Sequence, residues 1–293
     1  MLGVAVLNAE RDGRIRLALL TPMTIGGLLL IVVPLIATIT LAFFDYNAIE
    51  SPRFSGLGNL RAIFGDPIFR TALFNTLLFV LVAVPIRLLV ATATALLLAP
   101  DRRGAGLARS LVYLPTVVPE VAYGLLWLWM VNPINGPLAP LFGSALTTTA
   151  WGARGLVVAL VTFQIGEAFL VALVARRDIP DAYLEQAAVD GASPWFAMRR
   201  ITLPIMRPVL LLLAARDVVL AFQVSFVASF LLTEGGPFYA TTTLPLYAYR
   251  TGFEYLRFGR AAAVTLVALV ASAAMLAAQV LIIRGMARRV RPS

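Results

Sequence analysis

Long apolar runs separated by short polar segments dominate the pattern along the chain. Six of these runs contain the roughly 20 mostly apolar residues that a helix needs to cross a bilayer. They cover about residues 17–44, 73–99, 110–131, 155–175, 208–232 and 261–283. Helices are expected because each unpaired backbone group in lipid costs several kcal/mol. The pattern therefore predicts an all-α, polytopic membrane protein in which residues 1–293 form a single transmembrane domain with six spans.

The composition agrees with a membrane protein and limits its chemistry. Hydrophobic residues make up 60% of the chain and charged residues 13%, whereas a soluble domain carries about 25% charged residues. The chain has no Cys and no His, which removes thiolate metal sites and the commonest general base. It also has no Lys, so it cannot contain the ATPase phosphate-binding motif, in which a Lys reaches the β- and γ-phosphates. We therefore expect no catalytic residue, no metal site and no cofactor in this chain.

The placement of the 24 basic residues, all of them Arg, predicts the orientation in the membrane. Roughly twice as many lie before the first run, between runs two and three, between four and five and after six as in the other connections. Cytoplasmic loops carry such an excess, so both termini are expected on the cytoplasmic side of a bacterial cell membrane. The net charge of +9 does not indicate nucleic acid, because no basic stripe alternates with aromatic residues.

One polar segment, residues 181–204, interrupts the apolar pattern between the fourth and fifth runs, and we call it the polar island. Most of it reads YLEQAAVDGASPWFAMRRITLP. We expect two short helices, with Asp178 or Asp181 capping the first and Gly191 ending it in the left-handed conformation. Ser193, followed by a Pro, is expected to start the second helix, and the Leu-Pro pair at the end of the segment to close it.

The small side chains of the polar island predict a docking surface. Ala188 and Gly191 would let another backbone approach closely, and Glu185 and Asp190 would place charge at the rim. The alternative is an amphipathic loop that rests on lipid headgroups. Acidic residues argue against that alternative, because the anionic leaflet favours basic faces.

The residues of the polar island resemble a known signature. EQAAVDGA followed by ITLP is similar to the EAA motif of ABC importer permeases, with Glu185 as the carboxylate and Gln186 in place of an Ala. The later motif positions match directly at Asp190, Gly191, Ala192, Ile201, Leu203 and Pro204. RSLVYLPTVVPEV and LLTEGGPFYATTTLPLYAYRTGF also resemble segments of the sugar-type, MalF-like permeases.

This resemblance implies a fold, a set of partners and a docking site. It implies a type I importer permease with a six-helix core, which pairs with a second homologous permease subunit and lies in the bilayer. Two copies of an ABC ATPase, which bind ATP and Mg, would dock on the cytoplasmic side, and an extracytoplasmic solute-binding protein would deliver a sugar-like solute. The ATPase-docking residues implied are Glu185, Ala187, Ala188, Asp190, Gly191, Ala192 and Pro194.

Polar groups inside the fourth and fifth spans predict a path for the solute. Amide, carboxylate and hydroxyl groups can hydrogen-bond sugar hydroxyls, and aromatic faces can stack on sugar rings. The candidate residues are Phe163, Gln164, Glu167, Asp217, Gln223 and Ser225. The alternative is that the charges pair inside the bundle, for example Glu167 with Arg216.

Other polar and aromatic residues within the spans favour structural roles. Arg87 and Glu120 are each expected to pair with another charge inside the bundle, and Trp127 and Trp129 to belong to an interfacial aromatic belt. Arg216 and Asp217 are expected not to face each other, since they are neighbours on one helix.

Three functions remain open from the residues. The first is the permease subunit of an ATP-driven importer for a sugar. The second is such a subunit for a non-sugar solute, such as glycerol phosphate or a polyamine. The third is an ion-coupled secondary transporter, which predicts internal symmetry, and none is visible in the sequence.

Overall fold

The computed structural model of the chain describes residues 20–289, and for residues 223–224 and 285–289 it describes the backbone only. The described part is almost entirely helical, with one two-stranded sheet, which confirms the predicted all-α class. Three helices are single, long and apolar enough to cross a membrane. They are α1 (Leu20–Leu41), α3 (Pro67–Leu98) and the part of α14 (Phe258–Arg289) that ends at Arg284.

Three further candidate spans are pairs of helices joined at a bend. Helix α4 (Ala105–Val117) meets α5 (Glu120–Met130) at 100°, and α8 (Ala150–Phe163) meets α9 (Gly166–Arg177) at 47°. The third pair bends by 44° within the stretch that contains α12 (Leu203–Thr233). If each bent pair is one span, the described chain holds six candidate spans by length and composition.

Short elements complete the chain. They are β1 (Phe44–Asp45), β2 (Arg53–Phe54), α2 (Gly58–Gly65), α6 (Ala139–Phe142), α7 (Ala145–Thr148), α10 (Asp181–Val189), α11 (Pro194–Ala197) and α13 (Leu244–Tyr249). Single π-helical turns occupy Leu28–Val32, Met198–Thr202 and Arg250–Glu254.

The described helices and strands fall into two compact units. The first consists of residues 20–63 and 250–266. Its strands pair antiparallel, with Phe44 opposite Phe54. The buried Asn59 side chain donates to the carbonyls of Ala42 and Phe44 at 3.0 and 2.8 Å. A Cβ on Gly259 would lie 2.0 Å from the Phe44 oxygen, so only glycine fits this close backbone approach.

The second unit consists of residues 64–249 and 267–289, and it contains two hydrophobic clusters. One joins α3, α5, α8 and α12 around residues such as Phe79, Leu160 and Phe222. The other joins α3, α9 and α12 around Phe169 and Met206, together with a series of buried alanines. The alanines allow the helix backbones to approach closely, as small residues do in membrane bundles.

Candidate functional site: a charged cavity and the polar island

Two helix breaks lie side by side in the second unit. Pro119 restricts the residue before it, and Val118 is extended, with φ −71° and ψ 129°. Gln164 leaves the helical conformation with φ −84° and ψ 53°, and its side-chain amide donates to the Pro115 carbonyl at 3.4 Å. A Cβ on Gly166 would lie 2.3 Å from the Thr116 hydroxyl oxygen, so glycine permits the close contact between α4 and α9.

A cavity of about 310 Å³ lies at these breaks. Its lining residues are Arg87, Thr116, Val117, Val118, Pro119, Glu120, Gln164, Glu167 and Leu220. The Thr116 hydroxyl and one Glu120 carboxylate oxygen are buried without a hydrogen-bond partner among the described residues. Buried polar groups in native proteins are nearly always hydrogen-bonded, and these two oxygens are free to form hydrogen bonds with a molecule that enters the cavity.

Four charged side chains form a network beside this cavity, and two of them, Arg87 and Glu167, belong to its lining. Arg87 Nε lies 3.6 Å from Asp217 Oδ2, and Arg216 Nη1 lies 3.4 Å from Asp217 Oδ1. Arg216 also forms an ion pair with Glu167, the pairing that the sequence offered as the alternative to a role in the path. Asp217 is only 1% exposed. The network connects α3, α9 and α12 and balances two positive charges with two negative charges.

The expectation that Arg216 and Asp217 would not meet is wrong. Their Cβ atoms diverge on the helix, but the long, flexible Arg216 side chain turns back so that its guanidinium reaches the neighbouring carboxylate. Both residues also contact another helix, through Glu167 and Arg87 respectively.

The structure brings together some of the predicted path residues. Gln164 and Glu167 line the charged cavity, and Asp217 forms an ion pair with Arg87, which also lines it. Phe163 instead stacks on Trp127, with ring centroids 5.7 Å apart. Ser225 is fully buried, and its hydroxyl donates to the Phe222 carbonyl at 3.4 Å. The side chain of Gln223 lies outside the described residues.

Sequence reasoning missed part of this cavity. It did not select Thr116, and it gave Arg87 and Glu120 structural roles, whereas all three line the cavity. The Pro119 break was the available signal, because a helix that ends inside a membrane span exposes polar groups that need partners. The predicted pairing of Arg87 is present with Asp217.

The polar island begins with α10, and its N-terminus corrects one expectation. The N-cap is Pro180, without a side-chain cap, so neither Asp178 nor Asp181 caps the helix. Asp178 instead ends α9, and Asp181 is the first residue of α10, where a negative charge suits the helix dipole.

The bend and the second helix start follow the predicted pattern. Gly191 has φ +78°, which is the left-handed conformation expected for it. The Ser193 hydroxyl accepts a hydrogen bond from the Phe196 amide at 3.3 Å, and Pro194 occupies the first turn.

The expected end of the second helix at Pro204 is wrong. After α11 the chain passes through the π turn Met198–Thr202 and continues directly into α12. The Leu203 amide donates to the Met198 carbonyl, five residues back. Pro204 lacks an N–H to donate to the carbonyl four residues before it, and a π turn is one known way to accommodate such an irregularity. The second part of the polar island, α11 and the π turn, is therefore the beginning of the α12 helix.

The polar island presents an apolar surface. Tyr183, Val189, Trp195 and Phe196 are exposed, with Val189 86% exposed. Among the predicted docking residues, Glu185, Ala188, Asp190, Gly191 and Pro194 are exposed, Ala192 is half-buried and Ala187 is buried. A Cβ on Gly191 would meet nothing within 4 Å. Such a group of exposed apolar side chains is typical of a protein–protein contact surface.

A second ionic cluster lies at the same end of the bundle as the polar island. Asp101 accepts a hydrogen bond from Arg109 at 3.0 Å and forms an ion pair with Arg177. The hydrogen bond from Arg109, followed by that from Arg177, holds the pKa of the Asp101 carboxyl below its ordinary value. Arg109 also donates to the Leu98 carbonyl at 2.9 Å. The cluster joins the ends of α3 and α9 to the start of α4.

Comparison with known proteins identifies relatives over most of the chain. Residues 88–288 match the family model described as binding-protein-dependent transport system inner membrane component. The probable ABC transporter permease protein YesP of Bacillus subtilis is 29% identical over 290 residues, which cover 90% of this chain and 88% of the relative. The lactose transport system permease protein LacF of Rhizobium radiobacter is 32% identical over 70% of this chain and 72% of the relative.

A solved structure has the same fold. A bacterial ABC transporter involved in the import of the acidic polysaccharide alginate contains a chain that superposes with a TM-score of 0.77 at 23% identity, covering 98% of this chain and 99% of that chain. A structure of the alginate transporter bound to an alginate-loaded periplasmic protein gives a TM-score of 0.75 at 24% identity. The predicted resemblance is thereby confirmed: this chain belongs to the family of inner membrane components of binding-protein-dependent transport systems.

Proposed function

We propose that the chain is the permease subunit of an ATP-binding-cassette importer and forms half of the path for a sugar or sugar-like solute. A solute-binding protein would deliver the solute, and two ATPase subunits would dock on the polar island. The observation that carries this proposal is the continuous helix from α11 through α12, which links the exposed polar island to Arg216 and Asp217 at the charged cavity. A displacement of the polar island would therefore move one wall of the cavity.

The energy for transport enters from outside the chain. Without Lys, the chain lacks the ATPase phosphate-binding motif, so ATP and Mg would be bound by the partner subunits. Transport components with a mid-membrane solute site work by rocking one bundle against another. In this chain α12 would act as the lever, because it is continuous with α11 of the docking surface at one end and carries the Arg216–Asp217 pair further along.

The cavity chemistry supports a polyhydroxylated solute. Gln164 offers an amide, Thr116 a hydroxyl, and Glu120 an unpaired carboxylate oxygen, and such groups hydrogen-bond sugar hydroxyls. The relatives and the structural neighbour are named for lactose and for the acidic polysaccharide alginate. The sn-glycerol-3-phosphate permease UgpA of Yersinia enterocolitica is also 32% identical over 74% of this chain. The two guanidinium groups beside the cavity would suit an anionic group on the solute, but each already has a carboxylate partner. A neutral sugar therefore fits the present arrangement better.

The docking role can be tested at the most exposed apolar side chain of the polar island. Val189→Glu introduces a charge on that surface without changing a packed residue, since Val189 is 86% exposed. We expect the purified complex to lose most of its ATPase subunits while the chain still inserts into the membrane. Co-purification of the ATPase, followed by solute uptake in proteoliposomes, measures this effect.

The matched control is Ile134→Glu, which changes a side chain that is 82% exposed in the turn after α5. This variant should retain the ATPase. Equal ATPase retention by both variants would contradict the docking role. Uptake by the unaccompanied chain in vesicles driven by an ion gradient would favour a secondary transporter instead.

A further inference from the structure

A second cavity, of about 230 Å³, lies between α3 and α8 in the second unit. It lies near the start of α8, whereas the polar island follows the end of α9, so the two features lie at opposite ends of the bent α8–α9 pair. Its walls are mostly aliphatic and aromatic, with Leu78, Phe79 and Val82 on α3 and Val157 and Val158 on α8. We call it the α3–α8 groove.

The α3–α8 groove runs along the two helices. Leu78 and Val82 are four residues apart, and Trp151, Gly155 and Val158 repeat at intervals of four and three, so each set lies on one face of its helix. A Cβ on Gly155 would meet nothing within 4 Å, and Trp151 is 77% exposed. The missing side chain at Gly155 therefore leaves open space in the groove wall.

The positively charged side chain of Arg154 lies at one end of this apolar groove. The Arg154 guanidinium lies 5.2 Å from the centre of the Trp151 ring, its Nε donates to the Ala240 carbonyl at 3.1 Å, and its Nη2 lies 3.4 Å from Asn75 Oδ1. Within the described part of the chain, no carboxylate oxygen comes within 4.0 Å of it. An Arg side chain has five N–H donors, so donors remain for an anionic group.

We propose that the α3–α8 groove binds a phospholipid, with one acyl chain between α3 and α8 and the phosphate on Arg154. Three observations select this occupant. The walls are apolar, the cation has no carboxylate partner among the described residues, and Trp151 next to it is the residue type that lies at the headgroup level of membranes. Basic pockets between membrane helices on the cytoplasmic or matrix side bind lipid headgroups, and an Arg binds a phosphate by the same charge-assisted hydrogen bonds in either leaflet. The proposal needs only that the chain lies in a bilayer, so it does not depend on the transported solute.

Photolabelling tests the acyl-chain part of the proposal. The full chain, purified with its accompanying subunits, is reconstituted into phosphatidylcholine vesicles that contain phosphatidylglycerol with a diazirine on one acyl chain. We expect labels concentrated on residues 75–82 and 151–158, above the level on α1, whose exposed apolar side chains report bulk lipid. Gly155→Leu fills the groove and should lower labelling there by about an order of magnitude, as the loss of two buried methylene contacts would.

The matched control is Gly26→Leu, because Gly26 also lies in an apolar helix and its Cβ would meet nothing within 4 Å. That variant should label the groove like the unaltered chain. Thermal unfolding and elution volume establish that both variants fold.

A second pair of variants tests the phosphate contact. Arg154→Gln removes the charge but keeps a donor for the Ala240 carbonyl. It should reduce labelling by phosphatidylglycerol about fivefold, the effect of one Arg at a membrane surface, and leave labelling by a diazirine diacylglycerol unchanged. Arg70→Gln is the control, since Arg70 also donates to a backbone carbonyl, that of Phe64 at 3.0 Å.

Three results would overturn the proposal. The first is groove labelling no higher than that on α1. The second is equal labelling by Gly155→Leu and the unaltered chain. The third is capture of another subunit, rather than lipid, by a photocrosslinking amino acid at Val158, which would make the groove a subunit interface.

Discussion

Asp217 is the residue on which the charged wall depends. It is 1% exposed and contacts Arg87 on one side and Arg216 on the other. A charge within a membrane span costs about 2.5–3.5 kcal/mol on insertion scales, and pairing each charge with an opposite charge offsets part of that cost. The network joins α3, α9 and α12, which also pack together through apolar side chains.

Removing one member of the buried Arg87–Asp217 pair should destabilise the protein more than removing both members. Arg87→Met leaves the Asp217 carboxylate with Arg216 only, and we expect a loss of about 3 kcal/mol, since breaking a buried pair leaves an uncompensated charge. The double variant Arg87→Met/Asp217→Leu should recover much of this loss. Thermal unfolding of the detergent-solubilised chain measures both variants.

A surface ion pair provides the control for this measurement. Arg53→Met breaks the pair with Glu50 at 3.5 Å, in which both side chains are mostly exposed, so its effect should stay below about 1 kcal/mol. Two results would contradict a stabilising role of the charged network. One is an Arg87→Met variant that loses no more stability than Arg53→Met. The other is a double variant that is less stable than Arg87→Met.

At the scale of elements, the sequence predicted the positions that require a particular residue type better than the boundaries that depend on the rest of the fold. Ser193 and Gly191 were identified because a cap and a left-handed position each require particular residue types. The Pro204 boundary failed because proline also occurs within helices when a π turn absorbs the missing hydrogen bond. The break at Gln164 was not predicted from the sequence, and its side chain contacts the Pro115 carbonyl of another helix, which the sequence does not reveal.

The charged cavity could be predicted only in part for a related reason. Ionisable residues inside apolar runs were visible, and so was the Glu167–Arg216 pairing as one alternative. The contribution of Thr116 was not visible, because the rotation of α4 about its axis decides which side chain faces the cavity. The assignment of the path and docking residues stays a prediction until variants are measured.

The continuity of the polar island with α12 can be tested by weakening it. In Ile201→Gly/Thr202→Gly two glycines replace the end of the π turn, each costing about 1 kcal/mol of helix stability relative to Ala. We expect the assembled importer to retain ATP hydrolysis and lose most solute uptake, because the lever bends before it moves the cavity wall. The ratio of solute transported to ATP hydrolysed in proteoliposomes measures the coupling.

The corresponding control places the same flexibility in another membrane helix. Ser272→Gly/Ala273→Gly alters α14, which is not continuous with the polar island. Its coupling ratio should remain near that of the unaltered chain. A similar ratio in both double variants would remove α12 as the coupling element.

At the scale of the whole molecule, the fold and the family assignment agree, whereas the orientation in the membrane is predicted from the distribution of Arg. Membership in a family of inner membrane components places the chain in the membrane. The distribution of Arg then predicts that the polar island and both termini face the cytoplasm. This orientation decides whether an ATPase could reach the polar island, so every step of the proposed coupling depends on it.

The absence of Cys makes that orientation directly measurable. Ser193→Cys and Ser144→Cys each introduce one thiol at an exposed serine, the first in the polar island and the second between α6 and α7. A membrane-impermeant maleimide added to spheroplasts should label Ser144→Cys and leave Ser193→Cys unlabelled until the membrane is opened. Both serines are N-cap residues, but Ser193 is extended (ψ 154°) and caps the Phe196 amide, whereas Ser144 is helical (ψ −4°) and makes no cap hydrogen bond. Labelling of each thiol after the membrane is opened therefore serves as its own reference. Labelling of Ser193→Cys from outside would place the polar island away from any cytoplasmic ATPase, and α12 could then not transmit force from one.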